Sequence, residues 1–244
     1  RKEIPKTMAK IIDGKARAQS ITENIAREVD ALKEKGVTPG LAVILVGDDP
    51  ASKVYVNNKK KACAQVGIYS EEYLLPADTD EKTLLDLIAK LNADKNISGV
   101  LLQAPIPPHL DYRKISETIS PDKDVDAFHP VNVGKIMIGD FDFVPCTPAG
   151  VIELIKSTGT EIAGKNCVVI GRSNIVGKPQ AMLLLKENGT VTVCHSKTKD
   201  IASFTRGADI LVVAVGRAGF VNGDMIKPGA VVIDVGMNRN AEGK

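Results

Sequence analysis

Lys59 is the first residue whose type and setting could do chemistry. On a helix that turns about 100° per residue, Ala51, Tyr55, Ala62, Cys63 and Val66 fall on one arc with Lys59 in its middle, while Lys53, Lys60 and Lys61 fall elsewhere. A lysine amid apolar neighbours is costly to desolvate unless its stripe faces a cleft or its stem snorkels out. Desolvation favours a neutral amine, and a group that is neutral for part of the time near pH 7 can both take and give a proton. Tyr55, one turn earlier, is placed to meet Lys59. A snorkelling lysine on a surface helix is the alternative that this helix alone leaves open.

A second cluster is Pro121-Asp-Lys-Asp-Val-Asp-Ala-Phe-His-Pro130. A buried carboxylate here, with Asp126 as the candidate, could accept paired N–H donors from the edge of a heterocycle, a strong and directional pairing. For Asp122 and Asp124 an Asx-rich loop is the simpler reading. With His129 as the other nearby ligand type, a metal is the weaker reading, and no metal site is expected. His109, after a proline run, reads as structural.

A third signal is Val168-Val-Ile-Gly-Arg-Ser-Asn-Ile-Val-Gly177, which puts Gly171 and Gly177 where a strand gives way to a helix. Backbone N–H groups and a helix N-terminus accept a pyrophosphate in that setting. Ser173 stands where the second glycine of G-x-G-x-x-G would be, so a tight turn in an ordinary α/β domain is the alternative. The next strand ends Cys194-His195-Ser196-Lys197-Thr198. It carries no acid to bond a ribose 2′-hydroxyl, and Arg172 sits in the glycine turn, so NADP is expected over NAD.

These residues must be positioned by a chain of 244 residues, enough for one large domain or two smaller ones. Hydrophobic residues are 43% and charged residues 25%, ordinary globular proportions. Thirty-two basic against 30 acidic side chains make nucleic acid an unexpected partner. No apolar run approaches a membrane span, so a soluble protein is expected. The four cysteines, Cys63, Cys146, Cys167 and Cys194, form no C-x-x-C pair and read as reduced thiols.

Ala18, Ile21, Ile25, Val29 and Leu32 recur at helical spacing between Gly14 and Gly36. Leu41–Val46 is a continuous apolar run ended by Gly47-Asp-Asp-Pro50, the pattern of a strand buried on both faces of a parallel sheet. Helices are expected over about 51–66 and 80–91, and a strand over Gly99–Gln103. Two prolines in Val144-Pro-Cys-Thr-Pro148 mark the expected domain boundary, giving domains 1–147 and 148–244. Beyond it come a helix at 149–156, strands at 167–170, 190–194, 210–215 and 230–235, and a helix at 179–187 whose first-turn proline suits its start. The opening Arg1 to Thr7 is given no function. Alternation of this kind is α/β.

Taken together, the segments resemble the bifunctional methylenetetrahydrofolate dehydrogenase/cyclohydrolase family over nearly the whole of Ile11 to Asn238. The resemblance rests on Ser52-x-x-Tyr55-x-x-x-Lys59-x-Lys61-Ala62, Leu102-Gln103-Ala104-Pro105-Ile106-Pro107, Pro121-x-Lys123-Asp124-Val125-Asp126-x-Phe128-His129-Pro130 and Gly171-Arg172-Ser173-x-x-Val176-Gly177-x-Pro179. It implies two lobes, an N-terminal α/β substrate domain and a Rossmann-like NADP-binding domain with a parallel sheet, facing each other across a cleft. It further implies that Tyr55, Lys59, Gln103 and Asp126 line the folate site with Ser52 nearby, and that Gly171, Arg172, Ser173, Ser196 and Met237 contact the dinucleotide. The activity so implied is oxidation of 5,10-methylenetetrahydrofolate with NADP and hydrolysis of the methenyl product, in a cytoplasmic homodimer, a mitochondrial matrix being the alternative location.

Ala104, Ala127 and Met237 depart from the residues usual in that family, in ways expected to alter shape without removing a reacting group. The sequence ends at Lys244, before the family's later Pro-Gly-Gly-Val-Gly segment and final helix. Part of the folate site is therefore expected to be missing, with an apolar patch open on the first domain if the molecule truly ends there. A dehydrogenase of another small substrate would share the cofactor turn but not Tyr55 and Lys59. A catalytically dead nucleotide-binding subunit is the rival from a different class.

Overall fold

Alternating helices and strands build two parallel sheets, one in each half of the chain. The structure, a computed structural model, describes residues 9–238, so the opening Arg1 to Thr7 lies outside the described residues. The first half runs α1 (Gly14–Glu34), β1 (Gly40–Val46), α2 (Pro50–Val66), β2 (Tyr69–Leu75), α3 (Glu81–Ala93), β3 (Gly99–Leu102), α4 (Tyr112–Ser116) and α5 (Pro130–Ile138). The second runs α6 (Cys146–Ser157), β4 (Asn166–Ile170), α7 (Gly177–Lys186), β5 (Thr190–Cys194), α8 (Ile201–Thr205), β6 (Ile210–Val213) and β7 (Val231–Asp234).

In the first sheet, ordered β2-β1-β3, the apolar run of β1 is central and buried on both faces. Ala42, Ile44 and Val46 pack with Leu84, Ile88 and Leu91 of α3, while Val43 and Leu45 pack with Val56 of α2. Strand β2 is missed by periodicity, as are the helices α4, α5 and α8. Its Ser70, Glu71 and Glu72 break the apolar pattern because it is an edge strand, half-buried along most of its length. Gly99 opens the first sheet to the segment after it: a Cβ there would lie 2.3 Å from Val125 Cγ1, and Val100 bridges to Asp124.

The second sheet is ordered β5-β4-β6-β7, all parallel. One face packs on α6 and α7 through Val151, Ile155, Ala181 and Leu184, and the other through Ile201 and Ile226. Each sheet thus reverses strand order beside its first strand, and in open α/β sheets ligands bind at the carboxyl ends of the strands at such a reversal. Positions 147 and 148 fall in the first turn of α6, whose apolar face belongs to the second core.

The helical stripe drawn around Lys59 is rotated from its expected place. The buried residues of α2 are Ser52, Val56, Cys63 and Val66, and Lys59 is half-buried among them, whereas Ala51, Tyr55 and Ala62 lie on an exposed flank. The arc drawn from apolar types alone omitted Ser52, whose hydroxyl is small enough to bury. On α1 only Val29 of the expected apolar face is buried; Ile25 and Leu32 are exposed. The strands expected over 210–215 and 230–235 are shorter, β6 ending at Val213 and β7 at Asp234. All four cysteines are free, and no helix among the described residues is long and apolar enough to cross a membrane.

Gln180 of α7 is fully buried, and neither its Oε1 nor its Nε2 has a hydrogen-bond partner. A buried unsatisfied polar group costs about 1 to 3 kcal/mol, and methionine fills similar volume without that cost. Gln180→Met is therefore expected to raise the midpoint of thermal unfolding by about 2 to 4 °C per kcal/mol gained. A lower midpoint would show that the amide is satisfied in solution.

Candidate active site

The site begins where β1 gives way to α2. Asp49 caps the helix, its Oδ2 accepting from Ser52 N at 2.7 Å, and Pro50 takes the first turn, where a missing N–H is harmless. Ser52 is 2% exposed, on the buried face of α2 with Val56 and Cys63. Farther along the same face, Lys59 Nζ donates to Gln103 Oε1 at 3.0 Å across the gap to the end of β3. Gln103 Nε2 donates to Ala104 O at 2.8 Å, which fixes the amide so that its oxygen faces the lysine. The Tyr55 ring centroid is 5.7 Å from Lys59 Nζ, within cation–π range.

Asp126 completes the group. Burial pushes its carboxyl up to about 6; the Lys59 charge pulls it down and the neighbouring Asp124 pushes it up. Tyr112 of α4 is raised to about 12 by burial and by the charges of Asp126 and Asp124. From the other half, the Cys146 thiol at the start of α6 is raised by desolvation and by Asp126, with Lys59 opposing. Lys59, Gln103, Tyr55 and Asp126 therefore share one locus, and Cys146 faces it. The arrangement offers a cation, an amide and a carboxylate that exchanges its proton near pH 6. Sequence reasoning looked for the proton-exchanging group at Lys59. It placed Asp126 in the site but did not expect its raised pKa, which depends on burial in the folded chain. It also missed Cys146 and Tyr112.

The remaining polar candidates are structural. His129 Nδ1 accepts from Val131 N at 3.1 Å, which leaves Nε2 to donate to Glu117 O at 3.1 Å. His109 Nε2 lies 2.9 Å from Thr79 O.

The second locus gathers at the carboxyl ends of the second sheet. Gly171 follows β4 with φ +127°, and a Cβ there would lie 2.5 Å from Ala214 O; at Gly177 it would lie 2.3 Å from Gly171 O. Only glycine permits so close a turn; Gly171 and Gly177 are themselves buried, and Arg172 to Ile175 between them are exposed. Ser173 Oγ accepts from Val176 N at 3.1 Å and Gly177 N at 3.3 Å, so this hydroxyl shapes the turn. Arg172 is exposed, as are Ser196 past β5 and Met237 past β7. No carboxylate lies in the His195–Thr198 turn, where His195 N donates to Thr198 Oγ1 at 2.9 Å.

Comparison with known families decides what this pair of loci belongs to. Residues 12–126 match the model of the tetrahydrofolate dehydrogenase/cyclohydrolase catalytic domain, and residues 145–244 match that of the NAD(P)-binding domain of the same family. The chain belongs to the tetrahydrofolate dehydrogenase/cyclohydrolase family. A relative named bifunctional protein FolD from Acetivibrio thermocellus is 62% identical over 231 residues, 95% of this chain and 81% of the relative. The crystal structure of the bifunctional FolD enzyme from Campylobacter jejuni superposes with a TM-score of 0.92 at 46% identity, covering 96% of this chain and 84% of that one. The Trypanosoma brucei enzyme, complexed with NADP cofactor and inhibitor, superposes with a TM-score of 0.88 at 42% identity, covering 96% and 80%. Both members of this family of two-domain enzymes and the present chain are mixed α/β with parallel sheets.

Proposed function

We propose that the chain oxidises 5,10-methylenetetrahydrofolate with NADP and hydrolyses the methenyl product to 10-formyltetrahydrofolate, within one-carbon metabolism. The observation that carries this reading is the Lys59–Gln103 hydrogen bond beside Asp126, in a chain whose other half bears the glycine turn. Residues 1–147 hold the folate and residues 148–244 the dinucleotide.

When bound, NADP supplies the nicotinamide that takes up the hydride. The close Gly171–Gly177 turn, exposed along Arg172 to Ile175, fits a pyrophosphate, and Arg172 and Ser196 fit a 2′-phosphate. Ser173 keeps the turn closed, its O–H free to donate, and Met237 offers an apolar surface. Asp126 accepts paired N–H donors from the pterin edge. Tyr55 and the buried Ser52 bound the folate, and Gln103 aims Lys59 at the one-carbon bridge. Positioning alone serves the oxidation, and Lys59 handles protons in the hydrolysis.

Purified protein given methylenetetrahydrofolate and NADP is expected to reduce the cofactor and to release 10-formyltetrahydrofolate. No turnover at any cofactor would refute the reading. Arg172→Ala removes a charge-assisted contact of about 1.5 to 3 kcal/mol. It is expected to weaken NADP about tenfold or more and NAD little; equal losses for both would remove Arg172 from the phosphate site.

The family's homodimer is part of this proposal. A cavity of about 860 Å³ between α4, α5, α7 and β5, lined by Phe128, Met137, Ile175, Met182 and Val193, also reaches Tyr112 and Ala127 beside Asp126. Its lining comes from both halves of the chain. The compartment proposed is the cytoplasm, with no nucleic acid or membrane partner.

A further inference from the structure

Asp124 is 5% exposed, a buried carboxylate that the proposed reaction leaves unused. Its Oδ2 accepts from His129 N at 2.8 Å and from Asn132 Nδ2 at 3.0 Å. Asn132, 2% exposed, also donates to Pro121 O at 2.9 Å. The Asp124 backbone lies against β3 in the bridge to Val100, and its carbonyl accepts from Ala127 N at 3.0 Å, with Ala127 held at φ +56°. The loop from Pro121 to Asn132 is thus wrapped around one carboxylate. Asp126 sits inside that wrap, tied on both sides.

We infer that the buried Asp124–Asn132 pair is the positioning device for Asp126, fixing the loop that carries its carboxylate and keeping a second negative charge behind it. Burial of a carboxylate as mere loop structure is expensive, since a neutral amide could accept the same N–H groups. What a neutral side chain could not supply is the charge. Four groups face Asp126: Lys59 from α2, Tyr112 from α4, Cys146 from α6 and Asp124 from its own loop. Burial raises the pH at which Asp126 lets go of its proton, Lys59 lowers it, and Asp124 raises it further. Asn132 is a positioning residue in the same sense, because it orients Asp124.

The inference rests on the folate reading only for its enzymatic consequence. Its primary test is therefore made without substrate, by carboxyl carbon NMR on the full chain, with the Asp126 signal identified by its loss in Asp126→Asn. Asp124→Asn keeps the volume and an acceptor but removes the charge. It is expected to lower the Asp126 midpoint by about half a unit or more, and to move the acid limb of the kcat/KM profile for methylenetetrahydrofolate the same way. A folded Asp124→Asn protein whose Asp126 midpoint is unmoved overturns the proposal. Should that variant not fold, Asn132→Ser, which loses one donor to Asp124 and leaves the charge, takes its place. An altered Asp126 midpoint there supports the device, and an unaltered one overturns it. A midpoint that moves in a protein without folate turnover would sink the folate reading and leave the positioning device standing.

Discussion

Lys59→Met is expected to abolish hydrolysis of the methenyl intermediate while leaving a measurable dehydrogenase, so that methenyltetrahydrofolate accumulates. Loss of a hydride from the methylene bridge leaves a delocalised amidinium cation and requires no proton transfer to or from the protein. That step depends mainly on how substrate and cofactor are held. Hydrolysis differs, because water must lose a proton as it attacks and a ring nitrogen must gain one as the bridge opens. General acid–base assistance of this kind is worth about 10² to 10⁴ in rate. Lys59 Nζ, held 3.0 Å from Gln103 Oε1 and electrostatically coupled to Asp126, is the donor placed to give it. Methionine keeps the stem that fills the half-buried face beside Val56 and Cys63, so packing is disturbed little. Both activities measured on one preparation decide the point: if they fell by the same factor, Lys59 would serve binding or packing only.

Lys59 also shows how far the sequence could be read. The unbroken apolar run of β1 can only be a central strand, and the glycines of the turn after β4 announce a close approach of backbones. Helix α2 was legible too, but its inward face was not. Apolar type put Tyr55 and Ala62 inside, and the fold instead buries Ser52, because a capped first turn can hide a small hydroxyl. Strand β2 was missed for a related reason: an edge strand needs no apolar alternation, and Glu71 and Glu72 look like loop. The proton chemistry of Asp126 was beyond the sequence altogether. Its raised pKa arises from burial, with Lys59 opposing and Asp124 adding to it, which no spacing reveals.

Asp126→Asn is expected to make the protein more stable at pH 8 while removing most of its activity. The Asp126 carboxyl is raised from its ordinary 3.8 to about 6, first by burial. Its folded-state pKa therefore lies above the unfolded one, and the folded state holds the proton more tightly. The stability associated with the protonated form is fully present below about pH 4 and is lost as pH rises through about 6. A shift near two units corresponds to up to about 3 kcal/mol at 1.36 kcal/mol per unit. Asparagine stays neutral throughout, so its gain over the native protein is absent at pH 4 and complete by pH 8. Function runs the other way. The amide offers one acceptor where the ionised carboxylate offers two, and loss of a charge-assisted contact costs about 1.5 to 3 kcal/mol, so kcat/KM is expected to fall by one to two orders of magnitude or more. Denaturant unfolding of both proteins at pH 4.5 and pH 8, beside the folate assay, tests the two halves together. A variant that was less stable at pH 8, or equally favoured at both pH values, would mean that Asp126 is ionised without penalty. A stabilised, inactive variant is what a carboxylate kept for its chemistry at a cost to the fold must give.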